Sequence, residues 1–192
     1  MIPPYPALEA ITQPRVEHVP IEMRGKSALD QIRADWGQAP CYKIIVLWII
    51  AGLAVPAGFI TDFASIPRLL DALILPDGAL YLWAILHDFG YQHGYLLEEF
   101  VPGKEYPAAS WEMYSRDPKA FGPYMPIYVG ESQRFFDRML RDGTIAATGA
   151  SVQAYEAYTA LRGFGCIAWG NYRHLGPGAY GINSLGLPGV EA

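Results

Sequence analysis

The clearest hydrophobic pattern in the chain is helical and runs from Ala79 to Tyr91. Leu82, Ile85, Leu86 and Phe89 recur there every third or fourth position, which places them on one face of a helix. Most of the remaining positions are apolar as well, so this helix is predicted to be buried in the core.

Further helical patterns lie on both sides of this segment. One helix is predicted over Glu131 to Leu140 with Gly143 as its stop, and another over about Ala150 to Arg162, stopped by Gly163 and Gly165. A shorter helix is predicted to begin at Pro67, because proline suits the first turn of a helix.

The stretch from Ile44 to Thr61 carries no charge and approaches the length of a transmembrane span. Gly52 and Pro56 interrupt it, however, and β-branched residues crowd its first half, which favours short buried strands over a membrane helix. We therefore predict a strand over Lys43–Ile50, a turn at Gly52 and a returning strand over Leu53–Val55, with no membrane span.

These elements predict an α+β fold, in which a small antiparallel β-sheet or hairpin packs on three to four helices. Residues 41–170 are predicted to form one core domain, and 95–129 a long insertion rich in Pro, Gly and aromatic residues. Residues 1–40, with one strand near Val16–Met23, and residues 171–192 are predicted to form extended Pro/Gly-rich arms.

Composition narrows the class of protein. The 192 residues are 52% hydrophobic and 17% charged, which argues against intrinsic disorder. The net charge of −5 and the lack of a run of Lys or Arg predict that nucleic acid is not a partner. Cys41 and Cys166 form neither a disulfide framework nor a metal knuckle, and no signal peptide is evident, so synthesis in a reducing cytoplasm is expected.

The first polar motif is Gly58-Phe59-Ile60-Thr61-Asp62-Phe63-Ala64-Ser65-Ile66-Pro67-Arg68, which lies just before a predicted helix. In the simpler interpretation, Asp62 or Ser65 caps that helix by accepting hydrogen bonds from its first N–H groups. In the functional interpretation, Asp62 is a ligand or acid/base group, and Arg68 holds an anion or a carboxylate.

The second polar motif is His87-Asp88-Phe89-Gly90-Tyr91-Gln92-His93. His87 and Tyr91 are four positions apart and share a helical face. Because polar groups are costly on a buried helix unless they are paired, His87 and Asp88 require partners. Two interpretations remain: a general base or metal ligand, and a structural histidine in a closed polar network.

Metal and nucleophile sites can be outlined from the same residues. His87, Asp88 and His93, with Asp62 and Asp137 as further candidates, are the possible ligands of a divalent cation, although their spacing matches no known metal motif. Ser65 with His87 and either Asp62 or Asp137 could assemble a triad in space. No other cofactor is indicated.

Together the two motifs resemble the phage-associated family called domain of unknown function 1353. The resemblance rests on Gly58-Phe59-x-Thr61-Asp62-Phe63-Ala64-Ser65-x-Pro67-Arg68, followed some twenty residues later by His87-Asp88-x-x-Tyr91. Later positions that also fit are Arg134, Asp137, Met139, Gly143, Tyr155, Tyr158, Arg162, Gly163 and Trp169. The resemblance covers about residues 41–170, and the chain departs from the family in 95–129 and in both arms.

This family is encoded by tailed phages and prophages, and the resemblance implies no assigned activity. The His-Asp-x-x-Tyr cluster is also similar to the catalytic helix of secreted phospholipases of the A2 type, in which His activates water and Asp binds calcium. The flanking cysteines and the Gly-rich calcium loop of those enzymes are absent from this sequence.

Two functional hypotheses follow. In the first, the chain is a virion-associated structural or assembly protein (a head, neck or tail component), made in the host cytoplasm and built in several copies with other phage structural proteins. In the second, it is a small hydrolase acting on lipid, peptidoglycan or peptide. His87 is then the general base, oriented by Asp62 or Asp137, Asp88 binds a cation or water, and Tyr91 with Arg68 stabilises negative charge.

Overall fold

Two antiparallel sheets and a group of helices make up the residues that the computed structural model describes, which are 13–19, 41–61, 79–149 and 151–174. The strands are β1 (Val16–Val19), β2 (Cys41–Ile44), β3 (Trp48–Ile50), β4 (Leu53–Val55), β5 (Ile60–Thr61), β6 (Leu96–Glu99) and β7 (Tyr124–Ile127). The helices are α1 (Ala79–His93), α2 (Ala108–Arg116), α3 (Pro118–Phe121), α4 (Gln133–Thr148) and α5 (Ser151–His174). The predicted α+β class is confirmed.

The strands form two small sheets rather than one. The first has the order β1-β2-β5 and the second the order β3-β4-β6-β7, with antiparallel pairing throughout. The predicted hairpin is confirmed, since β3 pairs with β4 and Ile50 lies opposite Leu53. Its two connecting residues, Ala51 and Gly52, both have positive φ angles, of 52° and 77°. That backbone matches the tight turn that joins twisted strands.

The predicted single strand over 43–50 is wrong, because the structure divides it between the two sheets. β2 ends at Ile44 and β3 begins at Trp48, while Ile45 and Val46 between them are exposed. An uninterrupted run of apolar residues does not show where one strand ends and the chain continues into a strand of another sheet.

Segment 95–129, which was predicted to be an insertion, contributes two strands to the second sheet. It contains β6, which pairs with β4, and β7, which forms the edge of the second sheet. Pro126 lies within β7, and an edge strand tolerates proline because one side of its backbone needs no hydrogen-bond donor.

The predicted stops of α4 and α5 are also wrong, because α4 continues past Gly143 to Thr148 and α5 continues past Gly163 and Gly165 to His174. Gly143 and Gly90 instead serve the packing of α4 against α1. A methyl group at Gly143 of α4 would lie 2.3 Å from the Trp83 ring of α1, and one at Gly90 of α1 would lie 2.3 Å from the Phe136 ring of α4. Each helix thus places a large ring over a glycine of the other, which brings the two backbones close. α4 instead ends at Thr148, and the φ of +70° at the following residue, Gly149, suits a left-handed C-cap.

Helix α1 lies at the centre of the core and is buried at every position from 80 to 93. It packs against α4, α5 and strands of both sheets. Any polar side chain on α1 therefore faces protein rather than water, and needs a partner there. In the described part of the chain, none of the helices is both long enough and apolar enough to span a membrane.

The predicted helix that begins at Pro67 lies outside the described residues. The same holds for most of the predicted arm 1–40 and for nearly all of 171–192.

Candidate functional site

His87 lies at the centre of a buried polar network, between two carboxylates. Its Nε2 is 3.1 Å from Oδ1 of Asp137 on α4, and its Nδ1 is 3.4 Å from Oδ1 of Asp88, the next residue on α1. The histidine is only 1% exposed. Both ring nitrogens are therefore directed at carboxylate oxygens inside the protein.

Asp137 accepts hydrogen bonds from three side chains although it is fully buried. Its Oδ1 accepts from the Tyr91 hydroxyl as well as from His87, and its Oδ2 accepts from Nη1 of Arg162 at 3.0 Å. Tyr91 follows His87 by one helical turn, and the two rings are in contact, with centroids 3.9 Å apart and planes inclined at 37°. One carboxylate of α4 thus joins α1 and α5.

Asp88 extends the network toward the first sheet. Its Oδ2 accepts a hydrogen bond of 2.5 Å from Oγ1 of Thr61, the last residue of β5. One turn further along α1, Nε2 of Gln92 donates to the backbone carbonyl of Ile60 at 3.2 Å. The side chains of α1 therefore attach β5 directly to the helical core.

The electrostatics favour a charged histidine. Burial alone lowers the pKa of His87, but hydrogen bonds and charges from Asp137 and Asp88 outweigh it and raise the pKa above its usual 6.5. Burial alone raises the pKa of Asp137, but His87, Tyr91 and Arg162 outweigh it and lower the pKa below its usual value. An imidazolium and a guanidinium thus balance two acidic side chains, which meets the need of buried charges for partners.

Tyr91 is a hydrogen-bond donor in this network. Burial, together with the nearby negative charge of Asp137, raises the pKa of its hydroxyl well above the usual range. The phenol therefore keeps its proton at all ordinary pH values and holds Asp137 from a second side. A tyrosine in this state can donate a hydrogen bond but cannot act as a base.

The structure brings together four of the predicted site residues: His87, Asp88, Tyr91 and Asp137. The other three, Asp62, Ser65 and Arg68, lie outside the described residues.

His93, the third predicted metal ligand, has an aromatic environment. Its ring centroid lies 4.3 Å from that of Phe89 and 5.8 Å from that of Tyr95. Within the described ranges, no group of three or more His, Cys, Asp or Glu side chains is arranged to hold a metal ion. The predicted ligand set of His87, Asp88 and His93 gains no support from this arrangement.

The sequence did not predict Arg162 as a site residue. The signal that could have found it is the setting of Asp137, which lies among Phe136, Met139 and Leu140 on α4 and is as buried as they are. A carboxylate in such surroundings requires a cation as well as a histidine. Arg162 supplies this cation from the neighbouring helix.

Comparisons with known proteins give one match. Residues 49–116, about a third of the chain, match the model of the family described as Protein of unknown function (DUF1353). No curated protein and no solved structure gave a match. The matched segment contains Thr61, His87, Asp88 and Tyr91, whereas Asp137 and Arg162 follow it. The resemblance that the two motifs predicted is therefore confirmed by this match over residues 49–116.

Proposed function

We propose that this chain is a structural or assembly protein of a phage virion, a head, neck or tail component, in which the His87 network fixes the fold. The strongest support is the closed geometry around His87. Both ring nitrogens are directed at carboxylates, and the ring is almost fully buried. Such a network joins β5, α1, α4 and α5 and gives a small domain one defined packing arrangement.

The same geometry gives less support to a hydrolase with His87 as its base. A general base needs a neutral imidazole whose free nitrogen can reach the proton that it removes. Here Asp137 occupies Nε2 and Asp88 faces Nδ1, and the raised pKa of His87 favours the charged form. A catalytic role would require the network to open.

Segment 95–129 carries a cluster of exposed apolar residues. Phe100, Val101 and Trp111 are exposed apolar residues, and the ring centroids of Phe100 and Trp111 lie 6.0 Å apart. Tyr106 packs beside both rings. We call these four residues the aromatic patch. Exposed apolar clusters of this kind mark contacts with other proteins, and aromatic residues contribute much of the binding energy at such contacts. The patch supports binding to other phage structural proteins in a multi-copy assembly.

The test is the protein content of purified virions. In a phage that encodes this chain, we expect quantitative mass spectrometry of gradient-purified particles to detect it in several copies per particle. Trp111→Ser should lower its incorporation while the variant still folds, because Trp111 is partly exposed and lies outside the buried core. Val152→Ser is the matched control, since Val152 is an exposed apolar residue on α5, outside the aromatic patch. Full expression in the host, with none of the chain in the particles, would contradict the proposal.

A further inference from the structure

An open groove of about 660 Å³ lies between helices α4 and α5, and three arginines line it together with the acidic residues Glu131 and Asp142. Arg134, Arg138 and Arg141 follow one another at spacings of four and three residues, so they form a stripe along one face of α4. Tyr158 of α5 lines the groove with them. None of these four residues takes part in the His87 network.

Tyr158 organises the arginine stripe. The Arg141 guanidinium lies over the Tyr158 ring, 4.8 Å from its centroid, and 5.1 Å from the centroid of Tyr155. Burial alone raises the pKa of the Tyr158 hydroxyl, but the guanidinium groups of Arg134 and Arg138 outweigh it and lower the pKa. Three positive groups therefore surround one tyrosine, which restrains their positions before any ligand binds.

Two of the three arginines have charges that are not balanced by an acid. Arg141 forms an ion pair with Asp142 at 2.6 Å. Neither Arg134 nor Arg138 forms an ion pair with another residue that the structure describes, and both are exposed to solvent. Arg134 and Arg138 lie one turn apart and place two positive charges on this face of a chain whose net charge is −5, while Glu131 and the ion-paired Asp142 also line the groove.

We propose that this groove binds a small phosphorylated molecule, with Arg134 and Arg138 contacting its phosphate group. The planar guanidinium offers paired N–H donors that match phosphate oxygens, and two such groups close together can hold one phosphate from two sides. The groove volume is in the range of small-molecule sites. The acidic charge of the whole chain disfavours a long polyanion as the ligand.

The first test uses inorganic pyrophosphate as the probe and isothermal titration calorimetry of the full chain at about 0.15 M salt, where nonspecific charge effects are screened. We expect saturable binding, and a dissociation constant at least tenfold weaker for the double variant Arg134→Gln/Arg138→Gln. Arg116→Gln is the matched control, because Arg116 is a 73% exposed arginine on α2, away from the groove. Its dissociation constant should stay within twofold of the native value.

The single variants Arg134→Gln and Arg138→Gln should each also weaken pyrophosphate binding. They provide the test if the double variant does not fold. The proposal fails if pyrophosphate does not bind, or if Arg116→Gln weakens binding as much as the groove variants do. A single-stranded oligonucleotide serves as the competing probe. If it binds more tightly than pyrophosphate and depends on the same arginines, the ligand is a nucleic-acid backbone and the proposed small molecule is wrong.

Discussion

Replacing Asp137 by Asn removes the charge that holds three helices together, while it keeps nearly the same side-chain shape. The amide cannot accept hydrogen bonds at both positions, so His87 or Arg162 loses its acceptor and faces an N–H group instead. His87 also loses the stronger of its two carboxylate contacts. The variant therefore leaves a buried positive charge with too little compensation.

The loss of stability in Asp137→Asn can be estimated from the burial of the groups involved. Removing one partner of a buried ion pair costs about 3–5 kcal/mol. We expect the lower end of that range, because the Arg162 side chain is 39% exposed and can turn toward water when its acceptor is lost. For a chain of this size, about 3 kcal/mol corresponds to a decrease in melting temperature of roughly 6–12 °C.

The assay is thermal and urea unfolding followed by circular dichroism. Asp142→Asn is the matched control, since the same substitution lies on the same helix but the Asp142 side chain is 37% exposed and pairs with Arg141 at the surface. We expect that control to change the melting temperature by about 2 °C or less. If Asp137→Asn is no more destabilising than Asp142→Asn, the network does not stabilise the fold and the account is refuted.

Further predictions concern pH and helix packing. Because the folded-state pKa of His87 is raised above 6.5, its stabilising effect is complete below about pH 6.5 and is lost as the pH rises through the folded-state pKa. The destabilisation caused by His87→Gln, measured by urea unfolding, should therefore shrink between about pH 5.5 and about pH 9. If the difference in unfolding free energy between the native protein and His87→Gln stays constant across that pH range, the raised pKa of His87 is contradicted. Gly143→Ala should lower the free energy of unfolding by about 1–3 kcal/mol, because its methyl group meets the Trp83 ring. Gly163→Ala on α5 meets no atom within 4 Å, so it should leave stability unchanged or raise it by up to about 1 kcal/mol. Equal effects of the two substitutions would show that the helices are not packed closely at Gly143.

The sequence predicted the features that depend on local spacing. The apolar periodicity from Leu82 to Phe89 identified α1, since a buried helix repeats its contacts every third or fourth residue. His87 and Tyr91 were predicted to share a face, and their rings are in contact there. Asp137 was predicted as one of two alternative carboxylate partners of His87, the other being Asp62, and it is within hydrogen-bond distance of the His87 ring.

The features that depend on tertiary contacts could not be predicted in this way. Gly143 was predicted to stop a helix, yet the Trp83 ring of another helix determines its role. β6 and β7 are four residues long and lack a regular alternation, so their formation depends on pairing, of β6 with β4 and of β7 with β6, rather than on local preference. The sequence analysis did not predict the arginine stripe, because its members are four and three positions apart and do not form a continuous run of basic residues. They come together only on the face of a helix.

The protonation state of the His87 ring most directly tests the central claim, which is that His87 has a structural role in a closed polar network. Nuclear magnetic resonance of the protein with ¹⁵N-labelled histidine reports whether each ring nitrogen of His87 carries a proton. We predict that both nitrogens are protonated at pH 6.5 in most molecules, that the titration midpoint lies above 6.5, and that the ring protons exchange slowly with water. A neutral ring that titrates at or below 6.5 and exchanges rapidly would contradict the structural role and would favour His87 as an accessible base.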